Sequence, residues 1–290
     1  MPGILGSYPS FRGKYEKAIV QDQNEQAAGR LQRMINPFIL RRLKSDVLKD
    51  LPEKWETVVY SRLEGEQRDL YYANAQQLRE SIKREGADSS GAQKLKILAG
   101  LTRLRQLCCD PHLLYENYEG GASKLETCME LVRTAVDGGH KILLFSQFTS
   151  MLSILEENLK KEGIASCSLT GATSKEKRAE LVKSFNKNDV PVFLISLKAG
   201  GTGLNLTAAS VVIHFDPWWN AAAQNQATDR AHRIGQEQEV AVYKLIMQDT
   251  IEEKIQTLQE KKALLSQQVI TGESMSLTSL SREEFMELLS

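Results

Sequence analysis

Apolar and polar positions change rhythm three times along this chain. At the start, turns at Pro2-Gly3 and Tyr8-Pro9 precede a helical run near 24–35. Leu51-Pro52 marks the end of an element, because a residue before proline is pushed out of helical geometry. Residues 55–61 alternate enough to be a strand entry. From 61 to 120 the period is helical. Residues 67–83 carry Leu70, Ala73, Leu78 and Ile82, and 95–107 carry Leu95, Leu98, Leu101, Leu104 and Leu107. The two stripes predict a helical hairpin around the polar, glycine-rich segment 85–91.

From 121 to 249 short apolar runs alternate with amphipathic stretches. Strands are expected at 141–145, 166–169, 192–196, 211–215 and 240–246, and helices at 149–162, 173–186 and 221–234. Short apolar strands separated by helices predict an α/β fold, a parallel sheet covered on both faces and doubly wound. Thr173 with Glu176, Thr250 with Glu253, and Ser281 with Glu284 read as capping boxes that open helices. The helix over 250–270 has an apolar face of Ile251, Ile255, Leu258, Leu265 and Val269. No internal repeat is visible.

Composition sets bounds. A chain of 290 residues makes one large domain or two small ones, and 41% apolar residues is ordinary for a soluble protein. No apolar run approaches the roughly 18–20 residues of a membrane span, and the start lacks the pattern of a signal peptide. A cytoplasmic protein is expected. Lys+Arg and Asp+Glu both number 37, so any basic surface must be local. The four cysteines lack Cys-x-x-Cys spacing and are expected as buried reduced thiols, with no metal site.

The candidate chemistry follows the expected strands. Ser146-Gln-Phe-Thr149 offers hydroxyl and amide groups that can bond phosphate oxygens or simply cap the next helix. Thr170-Gly-Ala-Thr-Ser174 poses the same choice between an anion and a cap. In Leu197-Lys-Ala-Gly-Gly-Thr-Gly-Leu-Asn205 the glycines permit close backbone approach to a ligand, Lys198 adds charge, and Thr202 and Asn205 add donors. A dinucleotide fingerprint fails there on spacing, since position 206 is Leu. In Asp216-Pro-Trp-Trp-Asn220 the adjacent tryptophans cannot share a helix face, so one is expected in the core and the other partly exposed or stacked on an arginine. Within Gln226–Gln236, Arg230 and Arg233 would share a face of the expected helix, two guanidinium forks aimed as a triphosphate requires; a solvated face is the plainer alternative. The chain has no Gly-x-x-x-x-Gly-Lys-[Ser/Thr] loop, and its Gly13-Lys14 pair is followed by Tyr15.

In this order the blocks resemble the second RecA-like lobe of superfamily 2 helicase-like ATPases, and more narrowly the SWI/SNF family of DNA translocases. Ser146-Gln-Phe resembles motif IV, Thr170–Ser174 the phosphate-contact motif after it, Ser196–Asn205 with Asp216–Asn220 motif V, and Gln226–Gln236 motif VI. Phe38-Ile-Leu-Arg-Arg42 and Leu104-Arg-Gln-Leu-Cys-Cys-Asp-Pro111 resemble blocks that precede the lobe. Two departures are mild: Ala221 stands where proline is usual, and Gln224 where an acidic residue is common.

The resemblance implies a RecA-like, P-loop-NTPase-type parallel sheet flanked by helices, with a helical protrusion before it and a brace helix after it. It divides the chain into 1–55 (end of the first lobe and linker), 56–120 (protrusion), 121–249 (the lobe) and 250–290 (brace and tail). It implies the second motor lobe of an ATP-dependent double-stranded-DNA translocase, with Arg230 and Arg233 as catalytic arginine fingers. Gly201, Gly203, Asn205 and Gln226 would join them on the nucleotide. Ser146, Gln147, Thr170, Gly171, Lys198 and Thr202 would hold the DNA backbone. ATP and Mg2+ would be bound jointly with a first lobe, which with double-stranded DNA is the expected partner; no membrane is involved. A bacterial source is expected, with nucleoid association, or the nucleus in a eukaryote. The chain reads as a fragment that lacks the first lobe, is inactive alone, and ends naturally after the brace. The alternative is a non-catalytic DNA- or protein-binding module derived from such a lobe.

Overall fold

The computed structural model describes residues 5–20, 24–38, 51–84, 91–197, 199 and 203–268. The chain forms two compact units, Met1–Lys49 with Glu260–Glu273, and Asp50–Gln259 with Ser274–Ser290. In the first, the expected helix runs over Glu25–Ile35, and Asn24 Oδ1 accepts the Ala27 N–H at 3.0 Å. Residues past Phe38 in the Phe38–Arg42 block, the Ser281–Glu284 box and Val269 lie outside the described residues.

The second unit holds the sheet. In chain order its elements are β1 (Lys54–Ser61), α1 (Gly65–Arg84), α2 (Gly91–Cys109), α3 (Ser123–Asp137), β2 (Ile142–Ser146), α4 (Thr149–Lys161) and β3 (Ser166–Leu169). Then follow α5 (Lys175–Lys187), β4 (Val192–Ser196), β5 (Val211–His214), α6 (Ala221–Thr228), β6 (Val240–Met247) and, as far as Gln259, α7 (Ile251–Gln268). The strands are ordered β1-β6-β5-β2-β4-β3 and every pairing is parallel. β2, β4 and β5 are buried throughout, as parallel strands covered on both faces must be. Alternate side chains sort by face. Ile142 and Leu144 meet Val132 of α3 and Leu152 and Leu155 of α4. Leu143 and Phe145 meet Phe185 of α5 and Ala227 of α6.

One expectation was met in fuller form and two needed correction. The segment 55–61 is a full strand: β1 pairs with β6 from Lys54↔Val240 to Ser61↔Met247. Its first four residues are exposed, so it lacks the continuous apolar run of the central strands. The cap of α5 is Ser174, accepting the Lys177 N–H at 3.3 Å; the Thr173 hydroxyl instead accepts the Thr170 N–H at 3.1 Å. α6 stops at Thr228, six residues early, because tertiary partners take its next carbonyls: Leu206 N–H donates to Arg230 O at 3.0 Å, and Gln236 Nε2 to Ala231 O at 3.2 Å. Arg230 and Arg233 therefore lie on turns, not on one helix face.

The hairpin forms as expected, with Leu70, Leu78, Ile82, Leu98, Leu101, Leu104 and Leu107 in or against its core, but Ala73 and Leu95 are exposed. Gln67 Nε2 reaches Leu107 O at 2.8 Å and Arg103 Nε reaches Asn74 Oδ1 at 2.8 Å, contacts that run in opposite senses along α1 and α2. The helices approach closely at Gly100, where a Cβ would stand 2.5 Å from Leu78 Cδ1. Ile251 and Ile255 of α7 complete this core, and Ile251 N–H donates to Tyr71 Oη at 2.8 Å. Cys108, Cys109 and Cys128 are buried free thiols and Cys167 is half-buried; burial pushes Cys128 up to about 12. Among the described residues no helix is long and apolar enough to cross a membrane.

Candidate functional site: strand-end loops, a strap and an arginine turn

Because β5, β2, β4 and β3 are neighbours and parallel, the loops after them line one edge of the sheet. At its centre sits Asp216, fully buried. Asp216 Oδ1 accepts the Ser146 hydroxyl at 2.6 Å and the Gln147 N–H at 3.2 Å, and Ser146 Oγ accepts the Phe148 N–H at 3.1 Å. Ser146 is itself buried, so its hydroxyl shapes the loop. Gln147 is half-buried, and its Nε2 has no partner among the described residues. Thr170 is half-exposed and Gly171 exposed at the neighbouring strand end.

The glycine-rich segment leaves β4 at this edge and returns to the opposite edge, where β5 begins. α5 holds it at both ends. Arg178 Nη1 donates to Ala199 O at 3.3 Å, while Asn186 Nδ2 donates to Asn205 O at 2.8 Å and Asn186 Oδ1 accepts the Ala208 N–H at 3.3 Å. Gly203 has φ +46, a conformation that favours glycine, and both it and Asn205 are exposed. Lys198, Gly201 and Thr202 lie outside the described residues. The described ends of this strap, at Leu197 and at Leu206–Ala209, thus belong to opposite edges of the sheet, roughly 15 Å apart for a five-residue strand.

The far end of the strap carries the arginine turn. Besides the Leu206–Arg230 bond, Gln236 Nε2 donates to Ala209 O at 2.8 Å, and His232 Nε2 lies 2.9 Å from Pro52 O. Ala209 and Pro52 stand just before β5 and β1, so the turn faces the amino-terminal edge, away from the Ser146 and Thr170 loops. Arg230 is buried to 7% exposure, while Arg233, Gln226 and Ile234 are exposed. Burial pulls the Arg230 guanidinium below its ordinary value, the neighbouring Arg233 adds to this, and Asp229 opposes it. Two cations kept this close suit an anion with several charged oxygens.

Sequence reasoning did not single out Asp216, Gln236, Asn186 or Arg105 as builders of these loops. A carboxylate directly after an apolar strand was the available signal for Asp216. The tryptophans divide as expected: Trp219 lies against the Arg105 guanidinium at 5.3 Å, and Trp218 packs on the α5–α6 side. Gln224 Oε1 accepts the Trp218 N–H at 3.2 Å, so the departure from an acidic residue keeps an acceptor.

Beside the site, His214 is buried with Nε2 2.8 Å from Thr228 Oγ1, stacked on Phe145. Burial, and then Lys244 nearby, lower its pKa from 6.5 to about 3. Between those values the unfolded chain carries the extra proton. Stability is thus intact above pH 6.5 and falls as pH drops through this window, by at most about 1.4 kcal/mol per unit. Urea midpoints at pH 7.0, 5.5 and 4.5 should fall more steeply for the wild type than for His214→Gln; parallel slopes would remove His214 as the cause.

A buried parallel sheet with strand-end loops, a glycine strap and an arginine turn defines a helicase-type second RecA-like lobe. Residues 123–235 match the helicase conserved C-terminal domain, and residues 1–113 match the SNF2-related domain. The C-terminal domain of the Sulfolobus solfataricus SWI2/SNF2 ATPase is 35% identical, with a TM-score of 0.67 over 81% of this chain and 98% of that one. The core of that ATPase in complex with dsDNA is 37% identical, with a TM-score of 0.68 over 99% of this chain and 61% of that one. YwqA of Bacillus subtilis is 41% identical over 294 residues, 99% of this chain and 32% of its own length. The ISWI chromatin-remodeling complex ATPase ISW2 of Saccharomyces cerevisiae is 32% identical over 306 residues, 100% of this chain and 27% of its own length. The chain belongs to the SWI2/SNF2 family of ATPases. It spans about a third or less of the length of these curated relatives.

Proposed function

We propose that this chain is the second motor lobe of an ATP-dependent double-stranded-DNA translocase. The observation that carries the reading is the strap: one segment begins among the strand-end loops and ends bonded to the arginine turn. A shift of the turn toward nucleotide pulls on the same backbone that borders the DNA-facing loops. Gln147, Thr170, Gly171, Lys198 and Thr202 would hold one strand's phosphates, with Ser146 shaping the loop through Asp216. Such contacts carry no base code. The dsDNA bound to the Sulfolobus ATPase core supports this assignment.

Arg230, Arg233 and Gln226, with Gly201, Gly203 and Asn205 of the strap, would face ATP across a cleft completed by a first lobe. The donor set fits phosphate oxygens: the turn offers the guanidinium groups of Arg230 and Arg233, and α6 offers the exposed Gln226 amide. Mg2+ would be held by the first lobe, and when bound would neutralise charge on the transferring phosphoryl group. ATP closes the cleft and hydrolysis opens it, so the chain steps along the duplex in the cytoplasm, nucleoid or nucleus.

Purified residues 1–290 should bind duplex DNA without sequence preference, with log affinity falling by about 0.9 per log unit of salt for each phosphate contact. They should show no DNA-stimulated ATP hydrolysis until joined to a first lobe. Turnover by the isolated chain would overturn the two-lobe reading. Salt-independent or absent DNA binding would favour a non-catalytic protein-binding module.

A further inference from the structure

The Leu104–Pro111 block stands before the lobe in sequence, at the end of α2. Its Arg105 leaves α2 and enters the strand-end loops, where it is 3% exposed. The guanidinium donates to Pro217 O, lies 3.8 Å from Asp216 Oδ2, and is covered by the rings of Trp219 at 5.3 Å and Phe148 at 5.9 Å. Asp216 in turn holds the Gln147 N–H and the Ser146 hydroxyl. A buried guanidinium thus fixes the carboxylate that fixes the loop.

We propose that Arg105 is a positioning residue for DNA engagement: acting through Asp216, it sets where the Gln147 loop meets the phosphate backbone. The inference deepens the proposed function and rests on Gln147 as a DNA contact. Two physical points support it. First, Asp216 is wholly buried, and burial raises its carboxyl above the ordinary value; Arg105, then Ser146, oppose that rise, so the guanidinium favours the charged form of the acceptor facing the Gln147 N–H. Second, a planar fork stacked on two rings fixes direction as well as charge, which a lysine cannot reproduce. The helical hairpin then serves as a rigid mount for a loop on the sheet, since α2 is anchored to α1 by the Gln67–Leu107 bond and the close approach at Gly100.

The test uses the full-length protein and plasmid-length duplex DNA. The readouts are the DNA concentration giving half-maximal ATPase stimulation and the maximal rate at saturating DNA. Arg105→Gln should raise the half-saturating DNA about fivefold to tenfold, while the maximal rate changes less than about twofold. A purely structural role would lower the amount of active protein, and so the maximal rate, without moving half-saturation. Arg105→Lys should recover only part of the shift. If Arg105→Gln does not fold, Asp216→Asn, which keeps an acceptor for the Gln147 N–H but drops the charge, carries the same expectation. Gln147→Ala separates the two layers. A Gln147→Ala shift that the Arg105→Gln, Gln147→Ala double variant does not exceed supports Arg105 acting through Gln147; additive shifts overturn it. If Gln147→Ala shifts half-saturation and neither Arg105→Gln nor Asp216→Asn does, the positioning role fails and the DNA contact stands. If Gln147→Ala shifts nothing, the DNA contact fails and the inference falls with it.

Discussion

Arg233→Ala in the full-length protein should reduce ATP turnover at saturating DNA by about 10³-fold or more, the loss typical of an arginine finger. That corresponds to about 4 kcal/mol of transition-state stabilisation. Nucleotide-free DNA binding should stay within about twofold, because Arg233 lies toward the edge opposite the Ser146 and Thr170 loops. Arg233→Lys should recover little, since an ammonium keeps the charge but loses the planar fork. Turnover within tenfold of wild type would show that another group supplies the charge.

Exposure separates the two arginines. Arg233 is exposed on its turn, as the proposed finger requires, whereas Arg230 is buried and its carbonyl is held by Leu206. In the proposed site Arg233 is the finger tested first, and Arg230 also joins the turn to the strap. Ending α6 at Thr228 makes this division: a continued helix would give both arginines the same face and would withdraw the Arg230 carbonyl from the strap.

The early end of α6 marks where local pattern stops being informative. β3 and β4 begin and end where expected; β4 does so as an apolar run that is buried throughout, β3 as a short, half-buried edge strand. α7 begins after Thr250, whose hydroxyl accepts the Glu252 N–H at 3.1 Å, while Glu253 accepts the Asp249 N–H at 2.9 Å. These are local effects of propensity and capping. The end of α6 is set by Leu206 and Gln236, residues remote from it in sequence or lying beyond its turn, so no helical periodicity could reveal it. The order of the candidate loops was readable from the strands they follow, but their support was not. Arg105, Lys124 and Glu252 are of charged types that are mostly exposed in proteins, yet each is buried.

Lys124 and Glu252 form the second of these buried charge arrangements, and disrupting it should have the largest effect on stability. Both side chains are fully buried, and the Lys124 ammonium donates to Glu252 Oε2, which also accepts the Met247 N–H at 2.9 Å. The ammonium lies 5.6 Å from the Phe215 ring centre. The pair joins the start of α3 to the start of α7. Burial is the largest influence on Lys124 and works against its charge, but Glu252 together with the neighbouring Cys109 and Cys108 outweighs it and moves the ammonium above its ordinary value; burial pushes the Glu252 carboxyl up against the pull of Lys124. Glu252→Gln should therefore leave a buried cation with a neutral partner and cost about 3–5 kcal/mol. In a thermal melt this is a fall of about 6–20 °C for a unit of this size. Lys124→Met leaves a carboxylate that can take up a proton. Its folded pKa is raised, so this variant should be least impaired at pH 5 and lose stability relative to wild type as pH rises toward 8. Lys124→Met with Glu252→Leu should recover most of the loss, because apolar residues of similar volume need no charge partner. Urea unfolding of the four proteins at pH 5 and pH 8 checks all three expectations. Single variants within about 1 kcal/mol of wild type at both pH values would show that water reaches the pair, and that the union of α3 and α7 rests on apolar packing alone.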